Sequence, residues 1–328
     1  MTKKTSIASV TLAYNSEQLL PRQLDVLLRQ SKPLDEIIVV NNASTDGTRK
    51  LLLEEYPRVT VLDLSANVGA GGGYAAGLAY AALEKKHDWV WLLDHDSLPA
   101  DVGLETLLQG LAGVQGSPES VGMLAPVPIN SGTQLSYPGM LWSRGWMRPP
   151  SDRLHQPVCF VDAVISSGSL IRSKVIETIG LPRADFFIDF VDYEYCLRLR
   201  SHGYRIAVVR DSLLEHAIGN PRTINIFGHS RAWGGHAPWR EYYKTRNEVF
   251  TMWNYFPDWR SKFSVLRRLL RHAAAIVAFG EKKRACLKMM LLGYLDGRPG
   301  RLGIRFLEGA PHGGADCVHP RQVKHASD

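Results

Sequence analysis

Apolar runs that close in polar residues and give way to helical spacing recur through the first hundred or so residues. The stretch "SIASVTLAYN" (6–15) is β-branched and ends in Asn, and "SEQLLPRQLDVLLRQ" follows with leucines at helical spacing, opened by Ser16 as the expected N-cap. "LDEIIVVNNASTDGT" followed by "RKLLLEEY" repeats the plan, "VTVLDLS" leads into "GGGYAAGLAYAALEKK", and "HDWVWLLD" supplies a fourth strand. Alternation at this spacing predicts an α/β chain with a doubly wound, mostly parallel central sheet. Ligands of such sheets bind beyond the carboxyl ends of the strands, where Asn15, Asn41, Asn42, Ser65, Asn67, Asp94 and Asp96 all fall.

The pattern loosens between residues 101 and 158 and returns in "CFVDAVISSGSLIRSKVIETIG" and "DFFIDFVDYEYCLRLRSHGYRIAVV", the second holding a helix stopped by Gly203. The expected division is a catalytic domain over 1–255, a basic helical extension over 256–307 and a disordered tail over 308–328. The net charge of +7 concentrates in the extension, where the Lys and Arg residues between Arg260 and Arg305 face only Glu281 and Asp296. A basic, partly amphipathic stretch of this kind suits an anionic membrane surface. The same helices are also suited to packing between copies in a homo-oligomer. The first residues carry no apolar signal segment and no apolar run is long enough to span a bilayer, so the expected location is cytoplasmic. Four scattered cysteines without a CxxC pair speak against a disulfide framework or a zinc site.

Asp94-His95-Asp96 ends the fourth strand. Carboxylates at i and i+2 can turn their oxygens to one side and hold a hard divalent cation that also meets phosphate oxygens; a solvated acidic turn is the equally weighted alternative until the strand's place on the ligand edge is considered. "NVGAGGGYAAG" (67–77) opens the third helix, where backbone N–H groups favour phosphate or sugar oxygens; a flexible glycine turn is the competing explanation. Asp189, Asp192 and Glu194 cluster at a helix start, which suits either simple dipole capping or an ionised proton acceptor. The stretch 228–247 is dense in Trp, Tyr, Arg and His and reads equally as a packed amphipathic helix or as a sugar- and diphosphate-gripping surface, with His229, His236, Arg240, Tyr243 and Arg246 the residues concerned.

Taken in order, "VTLAYN", "IIVVNNASTDGT", "NVGAGGGYAAG", "LLDHDS", "SSGSLIRSKVIETIG", "FFIDFVDYEYCLRLRSHGYRI", "LEHAIG" and "WREYYKTRN" resemble the family 2 glycosyltransferases of the GT-A (nucleotide-diphospho-sugar transferase) fold. The likeness runs over about residues 6 to 255 and is greatest to the bacterial rhamnosyltransferase branch, with the galactofuranosyltransferases as near relatives. The resemblance implies an inverting, Mg²⁺- or Mn²⁺-dependent transfer of a sugar from a nucleotide diphosphate to a hydroxyl of a lipid-linked or polysaccharide acceptor. The favoured donor is dTDP-rhamnose and the alternative UDP-galactofuranose, at the inner face of the cell membrane during cell-surface glycan synthesis. It places the metal on Asp94, Asp96 and His216 and the catalytic base on Asp192. The donor falls to Thr11, Tyr14, Asn41, Asn42, Asn67, Gly71, Gly72 and His95, and Asp189, Glu194 and Gly168 join the acceptor or diphosphate set. Many members of the family carry Asp-Asp where this chain has Asn41-Asn42. A basic nucleic-acid-binding protein is the alternative of another class, but no nucleic-acid motif accompanies the charge. A nucleotidyltransferase is a third, lacking here the basic, glycine-rich first turn.

Overall fold

A computed structural model describes residues 4–307 apart from 115, 131–135, 144–145, 152–154, 217–221, 227–228 and 234, with backbone alone for 143, 146, 222–226 and 229–233. The proposed tail, 308–328, lies outside the described residues. The first half runs β1 (Ile7–Ala13), α1 (Leu20–Leu28), β2 (Glu36–Asn41), α2 (Thr48–Glu55), β3 (Thr60–Asp63), α3 (Gly69–Leu78) and β4 (Trp89–Asp94). A π-helical turn, Ala79–Glu84, extends α3. There follow β5 (Ser97–Pro99), α4 (Gly103–Ala112), β6 (Val121–Asn130), β7 (Leu141–Ser143), β8 (Trp146–Arg148), β9 (Val158–Val161), β10 (Leu170–Arg172), α5 (Ser173–Ile179) and α6 (Val191–Ser201). The chain continues with β11 (Arg205–His216), β12 (Arg222–Ile226), β13 (His229–Trp233), α7 (Pro238–Tyr255), α8 (Trp259–Phe279) and α9 (Lys283–Gly297).

The main sheet has the order β3-β2-β1-β4-β10-β6-β11-β5, with β9 paired to β11. Its first four strands are parallel, as the alternation requires, whereas β10 runs antiparallel between β4 and β6 and makes the sheet mixed. Side chains alternate across β1: Ala8, Val10 and Leu12 pack beneath α3 and α6, while Ile7 and Ala13 pack beneath α1 and α4. Register levels the carboxyl ends, with Ala13 opposite Asn41, Asn41 opposite Asp63 and Leu12 opposite Asp94.

Ser16 is not the N-cap of α1. The helix begins at Leu20, where Pro21 supplies a preset φ, and the Ser16 carbonyl instead accepts from the amides of Leu19 and Leu20 in a preceding turn. Residues 256–307 pack directly against the end of the segment that precedes them. Val249 and Met252 of α7 share one core with Val265, Leu269 and Ile276 of α8 and Cys286 and Met290 of α9, so a cut after Tyr255 divides a packed unit. Among the described residues, no helix is long and apolar enough to cross a membrane.

Candidate active site

Three non-adjacent pieces of chain build the acidic centre. β4 delivers Asp94, the turn after it carries His95 and Asp96, and β5 then pairs antiparallel with the end of β11, placing Ser97 opposite His216. A register irregularity in β11 between Val208 and Leu213 redirects that strand on its way to the lip. Asp94, Asp96 and His216 each offer one ligand atom, all within 4.8 Å of one another. His216 Nδ1 lies 3.2 Å from Asp96 Oδ1, and Nε2 lies 3.7 Å from Asp94 Oδ2. Burial tends to raise the Asp96 carboxyl, but the hydrogen bond and charge of His216, with His95, hold it below its ordinary value. Burial likewise opposes the charge on His216, and Asp96 and Asp94 override it to raise that imidazole. Two carboxylates and an imidazole are a donor set for Mn²⁺ or Mg²⁺, which favour oxygen ligands and tolerate the added nitrogen.

Residues that the sequence reading passed over hold Asp94 in place. The Tyr74 hydroxyl donates to Asp94 Oδ1, the Ser167 hydroxyl to Oδ2, and the Gln23 amide to the Asp94 carbonyl and, at 2.7 Å, to that of Ser97. Ser167 Oγ also lies 3.3 Å from His216 Nε2. Neutral donors orient a carboxylate without cancelling its charge, as partners of metal ligands do. Tyr74 and Ser167 stand inside the motifs "GGGY" and "SSGS", so their position was legible, while Gln23 on α1 carried no signal. His95 points back into the fold, with Nδ1 3.3 Å from the Leu12 carbonyl oxygen.

The glycines of α3 are explained by packing. A Cβ on Gly71 would fall 2.4 Å from the Arg183 carbonyl oxygen and one on Gly73 would fall 2.3 Å from Leu12, while Gly72 faces Val68. The amide of Gly71 donates to the Phe187 carbonyl at 3.1 Å. Gly71 and Gly72 are therefore buried against the 183–187 loop instead of lining an open phosphate cradle, and this close approach brings Tyr74 into the field of Asp94, Asp96 and Asp192. Gly168, at φ +80°, is similarly structural: its carbonyl accepts from Trp91 Nε1 at 2.9 Å, and a Cβ would strike Pro126.

Asp192 opens α6 and borders a cavity of about 10 Å³ lined by Tyr74, Leu92, Val164, Tyr195 and Cys196. Burial, with the charges of Asp189 and Asp94 beside it, pushes its carboxyl up to about 7 against a lowering hydrogen bond from the backbone. The approach to it is strained, with Phe187, Asp189 and Phe190 at φ of 64°, 61° and 63°. Such residues cost on the order of 1–3 kcal/mol each and persist where their surroundings hold them. Here α7 does so. Asn247 Nδ2 donates to the carbonyls of Phe186, Ile188 and Asp189 at 3.0, 2.8 and 2.9 Å, and Arg246 Nη2 donates to those of Asp185 and Phe186 at 2.9 and 3.1 Å.

Arg246 and Tyr243 are thus removed from the expected ligand surface: both are fully buried, and the Tyr243 hydroxyl donates to the Phe306 carbonyl at 2.9 Å. Glu194 is also buried, paired with Arg198 at 3.0 Å and accepting from Tyr255 at 2.8 Å, which ties α6 to α7. Arg240 grips Asp189 with two parallel hydrogen bonds of 2.9 and 3.0 Å beside the strained loop. Half-buried His236 is pushed down to about 4 by burial and by the nearby Lys244 and Arg240. The backbone of His229 belongs to β13, and its side chain lies outside the described part.

At the ends of the parallel strands, Thr11 is two residues short of the β1 end and faces the core, its hydroxyl buried without a hydrogen-bond partner among the described residues. Tyr14, by contrast, is exposed at the lip. Asn41 donates to Asp63 at 2.7 Å, and Asn42 donates to Asn67 at 3.1 Å and accepts from the Val68 amide at 2.9 Å. These asparagines staple the ends of β2 and β3 and the start of α3 together at the carboxyl edge of the sheet.

The sequence of dTDP-rhamnosyl transferase RfbF from Shigella flexneri is 28% identical to this chain over 301 residues, covering 91% of this chain and 97% of that protein. Galactofuranosyltransferase GlfT1 from Mycolicibacterium smegmatis is 26% identical over 235 residues, covering 70% and 76%. Among solved structures, GalNAc-T7 with UDP, GalNAc and Mn²⁺ matches at a TM-score of 0.60 and 15% identity, over 91% of this chain and 57% of that one. S. aureus TarS 1-349 in complex with UDP-GlcNAc matches at 0.53 and 14% identity, over 95% and 100%. The fold is therefore GT-A, with its acidic centre at the carboxyl edge of the parallel strands. The family model for glycosyl transferase family 2 matches residues 9–179, the segment that runs from β1 through β4 and Asp94-His95-Asp96 to α5, and the chain belongs to that family of glycosyltransferases.

Proposed function

We propose that the protein is an inverting, metal-dependent rhamnosyltransferase that moves L-rhamnose from dTDP-rhamnose to a hydroxyl of a lipid-linked or polysaccharide acceptor, at the cytoplasmic face of the membrane. The carrying observation is the convergence of Asp94, Asp96 and His216 within 4.8 Å beside a carboxyl, Asp192, raised to about 7. The similarity to RfbF over most of both chains supports the rhamnosyl donor. The galactofuranosyl alternative rests on GlfT1. Family membership favours transfer over the nucleic-acid-binding and nucleotidyltransferase alternatives.

In this reading Asp94, Asp96 and His216 would hold Mg²⁺ or Mn²⁺, which would supply Lewis-acid neutralisation of a departing diphosphate. Tyr74 and Ser167 keep both oxygens of Asp94 in one orientation. Asp192 takes the proton from the acceptor hydroxyl while that oxygen attacks the anomeric carbon from the side opposite the diphosphate. The new glycosidic bond forms as the sugar–diphosphate bond breaks, and the configuration inverts. Its raised pKa suits a base working near neutrality, where general-base assistance is commonly worth about 10²- to 10⁴-fold. Asp189, held by Arg240, and His236 stand next to this approach as acceptor-side residues, while Tyr14, Asn41, Asn42 and Asn67 border the nucleotide side.

A panel of nucleotide sugars, each with and without Mn²⁺, tests the reading through protection against heating, because a ligand that binds only the native state raises its apparent stability. Greatest protection by dTDP-rhamnose with Mn²⁺ is expected. Equal protection with a chelator present, or protection by UDP-galactofuranose alone, would replace this assignment.

A further inference from the structure

Helix α8 has two apolar faces. One, with Val265, Leu269 and Ile276, is buried against α7 and α9. The other carries Trp259, Phe263, Leu266, Leu270 and Val277 and faces outward, with Trp259 71%, Phe263 60% and Leu270 62% exposed. At 3.6 residues per turn these five side chains fall within a stripe roughly 60° wide along the whole helix. Arg260, Arg267 and Arg271 all project along one border of that stripe and are exposed. Helix α8 contains no Asp or Glu from Trp259 to Phe279, and α9 opens with the exposed Lys282, Lys283 and Arg284.

A surface of bulky apolar side chains edged by cations is not what a solvated helix face requires. We infer that the outward face of α8 docks onto an anionic lipid surface, with Trp259, Phe263 and Leu270 entering the interface and the arginine row meeting lipid phosphates. Charge decides between this occupant and a second copy of the chain. A two-fold pairing through the stripe would set the arginine row of one helix beside its partner's arginines or Lys262, with no carboxylate on either α8 to offset them. An anionic bilayer supplies both the apolar phase and the opposite charge. The inference deepens the proposed placement at the membrane and rests on that reading for its biological sense. Its physical basis is the stripe itself, on the side of α8 away from the shared core.

Cosedimentation of the full-length protein with vesicles of phosphatidylcholine alone, and with one quarter phosphatidylglycerol, tests it. Binding to the mixed vesicles that weakens with added salt is expected. Phe263→Ser/Leu270→Ser should lower the partition coefficient at least about tenfold, as expected from the apolar burial forgone. Arg267→Gln/Arg271→Gln should lower it about 30-fold on the mixed vesicles and leave the phosphatidylcholine background unchanged. Thermal melts of the variants check that the fold is intact. Nucleotide protection against heating, measured on the same samples, keeps the two proposals separate: its loss in the native protein would sink the donor assignment and leave vesicle binding as a result in its own right. No binding to mixed vesicles overturns the inference, as does undiminished binding by the serine variant. Elution of the native protein as a dimer that the serine pair dissociates would overturn it in favour of self-association.

Discussion

Replacing Asp192 by Asn should make the protein more stable and far less active, and the gain in stability should grow with pH. Burial, with the charges of Asp189 and Asp94, carries this carboxyl from 3.8 up to about 7. Between those two values the folded state binds the proton more tightly than the unfolded chain does, so stability falls as pH rises through that window. The penalty is complete above the folded value. About three pKa units at 1.36 kcal/mol each set an upper bound of about 4 kcal/mol. Asp192 is partly open to solvent, which reduces the figure to about 2 kcal/mol at pH 8 and under about 1 kcal/mol at pH 5. Asparagine has the same shape and no charge to desolvate, so Asp192→Asn should recover that amount. Urea unfolding of both proteins at pH 5 and 8, with chelator present, measures the difference. In transfer assays with saturating donor the variant should lose about 10²- to 10⁴-fold in turnover. The native enzyme's rate should rise with pH as Asp192 ionises, along a limb that moves lower when a cation occupies the adjacent centre. Equal or lower stability of the variant at pH 8 would refute the desolvation account, and near-normal turnover would remove Asp192 as the base.

Other perturbations probe the rest of the centre. His216→Ala should abolish the Mn²⁺-induced rise in melting temperature and lower the metal-free melt, because Asp96 loses the partner that offsets its burial, which calorimetry with chelator and with Mn²⁺ would read out. Tyr74→Phe deprives Asp94 Oδ1 of its donor, so titration should show Mn²⁺ bound about 10- to 100-fold more weakly, as for other partners of metal ligands. Asn247→Ala removes two N–H donors shared among three carbonyls at about 1 kcal/mol per donor; it should cost about 2 kcal/mol in urea unfolding and lower kcat more than donor KM, because the strained loop positions Asp192.

What the sequence alone determined is what local periodicity can carry. The apolar run of β4 and the polar residues after it set Asp94 and Asp96 at a strand end, and the strand–helix alternation set that end on the ligand edge of a parallel sheet. Residue order also placed Asp192 at the start of a helix. None of this required knowing which distant segments meet. Tertiary structure decided the remainder, because it depends on pairings across long separations in the chain. The family resemblance had pointed to His216, and the pairing of β5 with β11 is what brings it to the carboxylates. Packing against Arg183, Val68 and Leu12 turns the α3 glycines from an apparent phosphate cradle into points of close approach. Arg246 and Tyr243 look like ligand grips in a string of aromatic and basic residues; burial and backbone carbonyl partners make them structural. A sequence shows that a side chain has donors, but only the folded chain shows whether water, a ligand or a neighbouring carbonyl accepts from them.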